Sequence, residues 1–466
     1  MNEHHSLGGA FVYNEGMAKN KTNFRLIIIG AGPSGMATAL SASLHGFDAS
    51  EILLLEANPR PGAKLLLTGN GRCNLTQDLE IQELARHYYG KEKFVLPALR
   101  TLSPQDLCAF FEQAGLALSH EGNKVYPRSK RSLDVLLCLE KQLRQEKIRL
   151  QCREKVTQLE WKNVGAPAST PHFLVKTKSG KLYSGKKLVL ATGGCTYPKT
   201  GSKGFAYQVA KELGLPLQAP GPAMAPLYIH YGPVRGEALA GISLSSQEAL
   251  CVSLKNSGLC MSDLSSKTPR KKVSPIFSGD LLFTHNGLSG PLALDLSHYA
   301  ARESDLSLAL QITFLSAHSE ILDDWQSKSP DKQLKNLLPQ LIPQRLVQFF
   351  MEEHLLSKQS QHLLEQKAKH LHDTNWQYFC EDVNKLLWPL QHLASYQEAM
   401  VTSGGIALNQ IKAHDFSAKQ IPQLHFVGEC LDIDGQCGGF NLQFAFSSGY
   451  LAGKAIAQQY KCESEL

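Results

Sequence analysis

The chain has no CxxC pair and no CxxxxC dithiol. Its 11 cysteines are scattered and odd in number. That excludes a disulfide framework, a cysteine-rich zinc module and an internal dithiol relay, and it points to reduced thiols in a cytoplasmic protein. Cys430 and Cys437 flank the acidic stretch Leu431-Asp432-Ile433-Asp434, but no histidine pair stands nearby, so no metal site is expected. No apolar run approaches the roughly 18 residues of a membrane span, and no membrane partner is expected. Residues 1–22 lack the apolar core of a signal peptide and carry acidic residues; they are expected to be a disordered tail. A net charge of +6 is too small an excess to mark a nucleic-acid surface, and no nucleic-acid partner is expected.

What is present begins with Asn23 to Glu56. The apolar run Leu26-Ile27-Ile28-Ile29 reads as a buried parallel strand. It enters Gly30-Ala31-Gly32-Pro33-Ser34-Gly35, a GxGxxG turn. A helix of small residues follows, then a second apolar run, Ile52 to Leu55, ending in Glu56. This is the dinucleotide-binding βαβ unit in full order. Gly30 makes the tight turn, Gly32 admits a pyrophosphate and Gly35 lets the helix lie close to the sheet. The helix N-terminus offers N–H groups to phosphate. Glu56 is placed to bind a ribose hydroxyl. No second complete unit of this kind occurs, so a nicotinamide cofactor has no site of its own.

With 466 residues, the chain is too long for one core. The loop Lys64 to Thr76 holds Thr68, Gly69, Gly71, Arg72, Cys73 and Asn74 and leaves the second strand toward the ligand edge of the sheet. Residues 78–150 read as mainly helical, with Ser103-Pro104 as N-cap and first helical position. Residues 149–190 read as a β-meander that ends in a strand into Ala191-Thr192-Gly193-Gly194. Residues 214–320 are proline-broken and then alternate, as β structure does. There a strand is expected to end at His285, with a helix starting from Ser289. Residues 321–395 carry leucines at helical spacing, among them Leu386, Leu387 and Leu390. The chain then returns to a strand into Gly428-Glu429, a turn Gly438-Gly439-Phe440-Asn441 with Asn441 as N-cap, and a helix of small residues.

These motifs resemble the FAD-dependent oxidoreductases related to aminoacetone oxidase and the dehydro-bile-acid reductases. The resemblance is carried by GAGPSG (30–35), KLLLTGNGRCNLT (64–76), ATGGCTYPKTGSKG (191–204), LLFTHNGLSGP (281–291), VTSGGI (401–406) and VGECLDIDGQCGGFNLQFAFSSGYLAG (427–453). It implies an α/β fold: a Rossmann-like FAD domain (23–213 and 397–466) split by a β-barrel domain (214–320) and a helical domain (321–396). It also implies FAD as cofactor. Pro33, Ser34, Lys64, the Thr68–Asn74 loop, the Val156 backbone, Thr192, Gly193, Gly194, Gly428, Glu429 and Gly438 through Asn441 are its implied contacts. Phe205 replaces a usual acid of the family, and Cys195 also departs from its pattern.

The expected activity is hydride transfer between bound FAD and either NAD(P)H, docking transiently, or a small organic substrate. His285, Arg72 and Asn74 are the candidates for proton transfer or substrate anchoring. An amine oxidase using oxygen, an RNA-associated flavoprotein and a non-catalytic flavin scaffold remain as alternatives.

Overall fold

The computed structural model describes residues 22–162, 172–229, 238–254, 271–303, 307–352 and 355–464. Residues 1–21 of the expected tail lie outside them.

The first apolar run forms the Asn23–Ile29 strand. It pairs in parallel with Ile52–Leu55 on one side and with Leu182–Leu190 on the other, placing Ile28 beside Leu54 and Val189. Leu424–Phe426 adds in parallel to the far edge of Leu182–Leu190. These strands are buried on both faces, which explains their unbroken apolar runs. Arg149–Gln151 pairs in parallel with Ile52–Leu55. It therefore sits at the opposite edge from the antiparallel strands Val156–Lys162 and His172–Thr177, and the expected meander consists of those two and Leu182–Leu190.

Two helices made of small residues cover this sheet. Pro33–Leu44 packs along the closing helix Phe440–Ser464. A Cβ on Gly449 would lie 2.1 Å from the Ser34 carbonyl oxygen, and one on Gly453 would lie 2.3 Å from that of Thr38. The backbones touch because these positions lack side chains. The two ends of the chain thus close one domain.

The stretch 78–150 is less helical than its pattern suggested. Pro104–Gln113 starts as expected, with Ser103 and Asp106 in a reciprocal capping box. However, Leu118–Glu121 and Lys124–Pro127 form a hairpin that also pairs with Thr76–Gln77. The hairpin is short and its exposed strand is polar, so it has no clear period.

An antiparallel ribbon, Leu217–Ala223 against Val401–Ile406, carries the chain out of the sheet domain and back. Between them a closed barrel is built from Leu227–Ile229, Ser243–Ser253, Phe277–Phe283, Gly287–Ser289, Leu308–Thr313 and Leu387–His392. The last strand falls in the stretch expected to be helical. Leu387 and Leu390 lie on this strand, which closes the barrel against Leu308–Thr313. The helices from Ser319 to Asn384 are therefore inserted between two barrel strands, and they share one apolar core with the barrel through Trp325, Phe349, Trp376 and Trp388. No described helix is long and apolar enough to cross a membrane.

A dinucleotide cavity built from both ends of the chain

A cavity of about 460 Å³ runs along the glycine turn. Gly32, Pro33 and Ser34 line it, with Glu56, Asn58 and Val156 on one side and Val401, Glu429 and Asn441 on another. Each glycine of the turn has a separate reason. Gly30 has φ +101°, and a Cβ there would lie 2.5 Å from the Ala191 oxygen. A Cβ on Gly35 would lie 1.9 Å from the Gly30 oxygen, so Gly35 is a packing residue and does not line the cavity. Gly32 is different: its φ is an ordinary −81° and a Cβ there would meet nothing within 4 Å. The space above Gly32 belongs to the cavity. No side chain caps the helix that starts there, so its first N–H groups are left for a ligand.

Glu56 is buried at the end of the second strand. Its carboxylate accepts from Ala31 N–H at 2.9 Å and from the Asn58 backbone and side-chain amides at 2.9 and 2.8 Å. A carboxylate has about four acceptor positions, which leaves room for a hydroxyl.

Lys64 and Glu429 meet on the cavity wall. The Lys64 ammonium donates to the Glu429 carboxylate at 2.6 and 2.8 Å and to the Thr196 hydroxyl at 2.5 Å. Glu429 also accepts from Thr402 N–H at 2.9 Å. Burial raises the Glu429 carboxyl, but Lys64, Thr402 and Thr196 outweigh it and hold it below its ordinary value. Thr68, Thr192 and Gly193 also line the cavity.

Several expected contacts stand off the wall. Gly428 faces Ser34, and a Cβ on Gly194 would lie 2.2 Å from the Thr402 hydroxyl. Gly69, Gly71 and Cys73 shape the 65–73 loop; all three have positive φ. Cys73 is fully buried, and burial pushes its thiol up to about 12. It is a core residue and not a reactive one. Arg72 is half-exposed. It bonds the Glu121 carboxylate at 2.7 and 2.8 Å and lies over the Tyr126 ring. Asn74 abuts Gly439, and its Oδ1 is buried with no hydrogen-bond partner among the described residues. Gly438 abuts the Gln77 amide, and Phe440 stacks on His87. The closing helix starts at Phe440, so Asn441 is inside it. The Asn441 amide reaches back to both backbone groups of Gly435, at 2.9 and 2.8 Å.

The strand expected to end at His285 stops two residues earlier. The preceding strand ends at Phe283, and Phe283 pairs with Leu288. His285 and Asn286 are the exposed tip of this hairpin, held by Thr284 N–H to the Gly287 oxygen. Neither lines the cavity. The helix expected from Ser289 starts at Pro291.

That helix, Pro291–Arg302, carries polar residues that sequence reasoning missed. Asp295, His298 and Arg302 are spaced three and four apart and so share one face. His298 Nδ1 lies 2.6 Å from Asp434 Oδ2. Arg302 donates to the Ser403 hydroxyl at 3.0 Å and pairs with Asp432, which Lys91 also pairs at 2.9 Å. Cys437 N–H donates to Asp295 at 2.6 Å. Asp432 is thus neutralised by Arg302 and Lys91, and Asp434 is held by His298. Among the described residues no cluster could hold a metal. The DxxHxxxR spacing was the available signal, but its acidic partners lie far along the chain.

Comparison with known proteins adds to this geometry. The family described as HI0933-like protein Rossmann domain matches residues 24–455. The 3-dehydro-bile acid delta(4,6)-reductase of Clostridium scindens is 26% identical over 443 residues, covering 93% of this chain and 99% of its own. The ribosomal RNA dihydrouridine synthase of Haemophilus influenzae is 26% identical, covering 93% and 98%. That of Escherichia coli is also 26% identical, covering 92% and 96%.

Proposed function

Because the chain belongs to the HI0933-like Rossmann-domain family of FAD-dependent oxidoreductases, we propose that it is a reductase that takes a hydride from transiently docked NAD(P)H and places it on an electron-poor carbon–carbon double bond of a small organic substrate. The observation that carries this reading is the cavity lined by Glu56, Gly32 and Asn441, with no second glycine fingerprint in the sequence for a resident nicotinamide. The relatives' names support the bond class. A delta(4,6)-reductase and a dihydrouridine synthase are both named for reducing a ring double bond.

The residues fit FAD. Open space at Gly32 beside an uncapped helix start suits a pyrophosphate, and Glu56 with a spare acceptor position suits a ribose. FAD supplies the hydride chemistry when bound. The chain's own part is binding and orientation. Lys64 is a positive charge held in place by Glu429 and Thr196. The N-terminus of the Phe440–Ser464 helix favours negative charge beside Asn441. Apolar Val401, Ile433 and Leu442 exclude water from the cavity wall between them.

The test is anaerobic. NADH or NADPH should bleach the flavin absorbance, and a conjugated enone should restore it with a product two hydrogens heavier. Bleaching by amines and recovery only with oxygen would favour an amine oxidase instead. RNA as substrate is a second reading, favoured by the ribosomal RNA dihydrouridine synthases among the relatives. Restoration by a uridine-containing ribosomal RNA fragment, and not by enones, would establish it.

A further inference from the structure

The loop from Leu431 to Asn441 forms part of the cavity wall through Ile433 and Asn441. It is held from outside by one face of the Pro291–Arg302 helix, which belongs to the barrel segment. Arg302 grips Asp432, His298 grips Asp434, and Asp295 accepts from Cys437 N–H at 2.6 Å. The Tyr89 ring stacks on His298 at 3.8 Å, and its hydroxyl donates to the Asp295 backbone oxygen at 3.1 Å. The Gly435–Asn441 amide contacts tie the loop to the start of the closing helix.

We propose that this helix face is the device by which the inserted barrel sets the Asn441 end of the cofactor cavity, with Asp295, acting through Cys437 N–H, as the positioning residue. The inference deepens the reading of the cavity as an FAD site and does not depend on the substrate.

Asp295 is the point of this grip that responds to pH. Burial pushes its carboxyl up to about 7, against the Cys437 N–H, which favours the anion. Above that pH a carboxylate grips the Cys437 N–H. Below it a neutral acid does so more weakly. The groups that face this cluster are Tyr89 from before the Lys91 segment, Cys437 and Asp434 from the loop, and His298 and Tyr299 from the same helix. Lys124 acts on Cys437 from the neighbouring hairpin, and His87 bonds the Gln436 side chain. Two of these are histidines, so the test must separate them.

The experiment is a titration of the visible spectrum of the oxidised FAD-loaded protein from about pH 5.5 to about pH 8.5. Oxidised FAD does not itself titrate there. The wild type should show one inflection within about a unit of 7. Asp295→Asn should bind FAD and lose the inflection, and Asp295→Glu should restore one. His298→Asn and His87→Gln should keep it. A flat wild-type titration or an inflection that survives Asp295→Asn would overturn the proposal. Should Asp295→Asn fail to fold, the histidine titrations and a shifted inflection in Asp295→Glu still decide. Loss of the inflection in either histidine variant would also overturn it. Failure of the protein to bind FAD at all would refute the cofactor reading, and it is distinguishable because no flavin spectrum would exist.

Discussion

Lys64 and Glu429 stand 365 positions apart in the chain and meet at 2.6 Å on the cavity wall. The pair joins the loop after the second strand to the turn before the closing helix. It is the shortest description of how this fold makes its site: neither end of the chain encloses a cavity alone.

Breaking the pair from one side should therefore cost more than breaking it from both. Lys64→Met leaves a part-buried carboxylate without its cation, and the apoprotein should lose on the order of 2 kcal/mol. Lys64→Met with Glu429→Gln should recover part of that loss in urea unfolding. Glu429 is held below its ordinary value. The stabilisation is thus present at neutral pH and disappears only as pH falls below the ordinary carboxylate range. Equal losses in the single and double variants would show that the two charges do not act as a pair.

Gly32 and Gly35 should respond differently to substitution. Gly32→Val places a side chain in the cavity, and its Cβ meets nothing within 4 Å. It should abolish FAD retention and leave the melting temperature of the apoprotein within a few degrees. Gly35→Ala drives a Cβ into the Gly30 carbonyl and should destabilise the fold itself by about 2 kcal/mol or more. FAD content and circular-dichroism melts separate the two. Full FAD content in Gly32→Val would show that this turn does not bind the cofactor.

Asp295 makes a stability prediction of definite sign. Its folded value is raised to about 7, so the folded state holds a proton that the unfolded chain has released. Stability from this group falls as pH rises from the ordinary carboxylate range through about 7, then levels. Asp295→Asn has no such fall. The variant should gain on wild type between about pH 5 and about pH 8, on the order of 2 kcal/mol after discounting for partial exposure. A difference that is constant across that range would contradict the raised value.

His285→Gln should change turnover by less than about threefold, far below the roughly 100-fold or more lost with a catalytic acid or base. The residue is an exposed hairpin tip away from the cavity. A large loss with FAD binding intact would mean that the barrel moves this tip to the flavin during turnover.

The parts legible in the sequence are those written locally. The Asn23–Glu56 unit carries its own strand, turn, helix and acid within a short span, and the Ser103-Pro104 helix start lies within two residues. Small residues at Gly449 and Gly453 announced close packing, but not that the partner would be the Pro33–Leu44 helix. What could not be read depends on distant pairing. Leu387 and Leu390 have a helix-compatible spacing, and only the Leu308–Thr313 strand beside them makes them strand residues. His298 acquires its meaning from Asp434, 136 positions later. His285 reads as a candidate because its ring stands near a glycine at the end of a strand, and that same combination suits a hairpin tip.

The most direct test is the structure of the protein with FAD bound. The account predicts the pyrophosphate over Gly32 at the start of the Pro33–Leu44 helix, the adenosine ribose on Glu56, and the isoalloxazine ring at the Asn441 end between Lys64 and Val401. A ring bound at the Glu56 end, or FAD held outside the cavity, would contradict it.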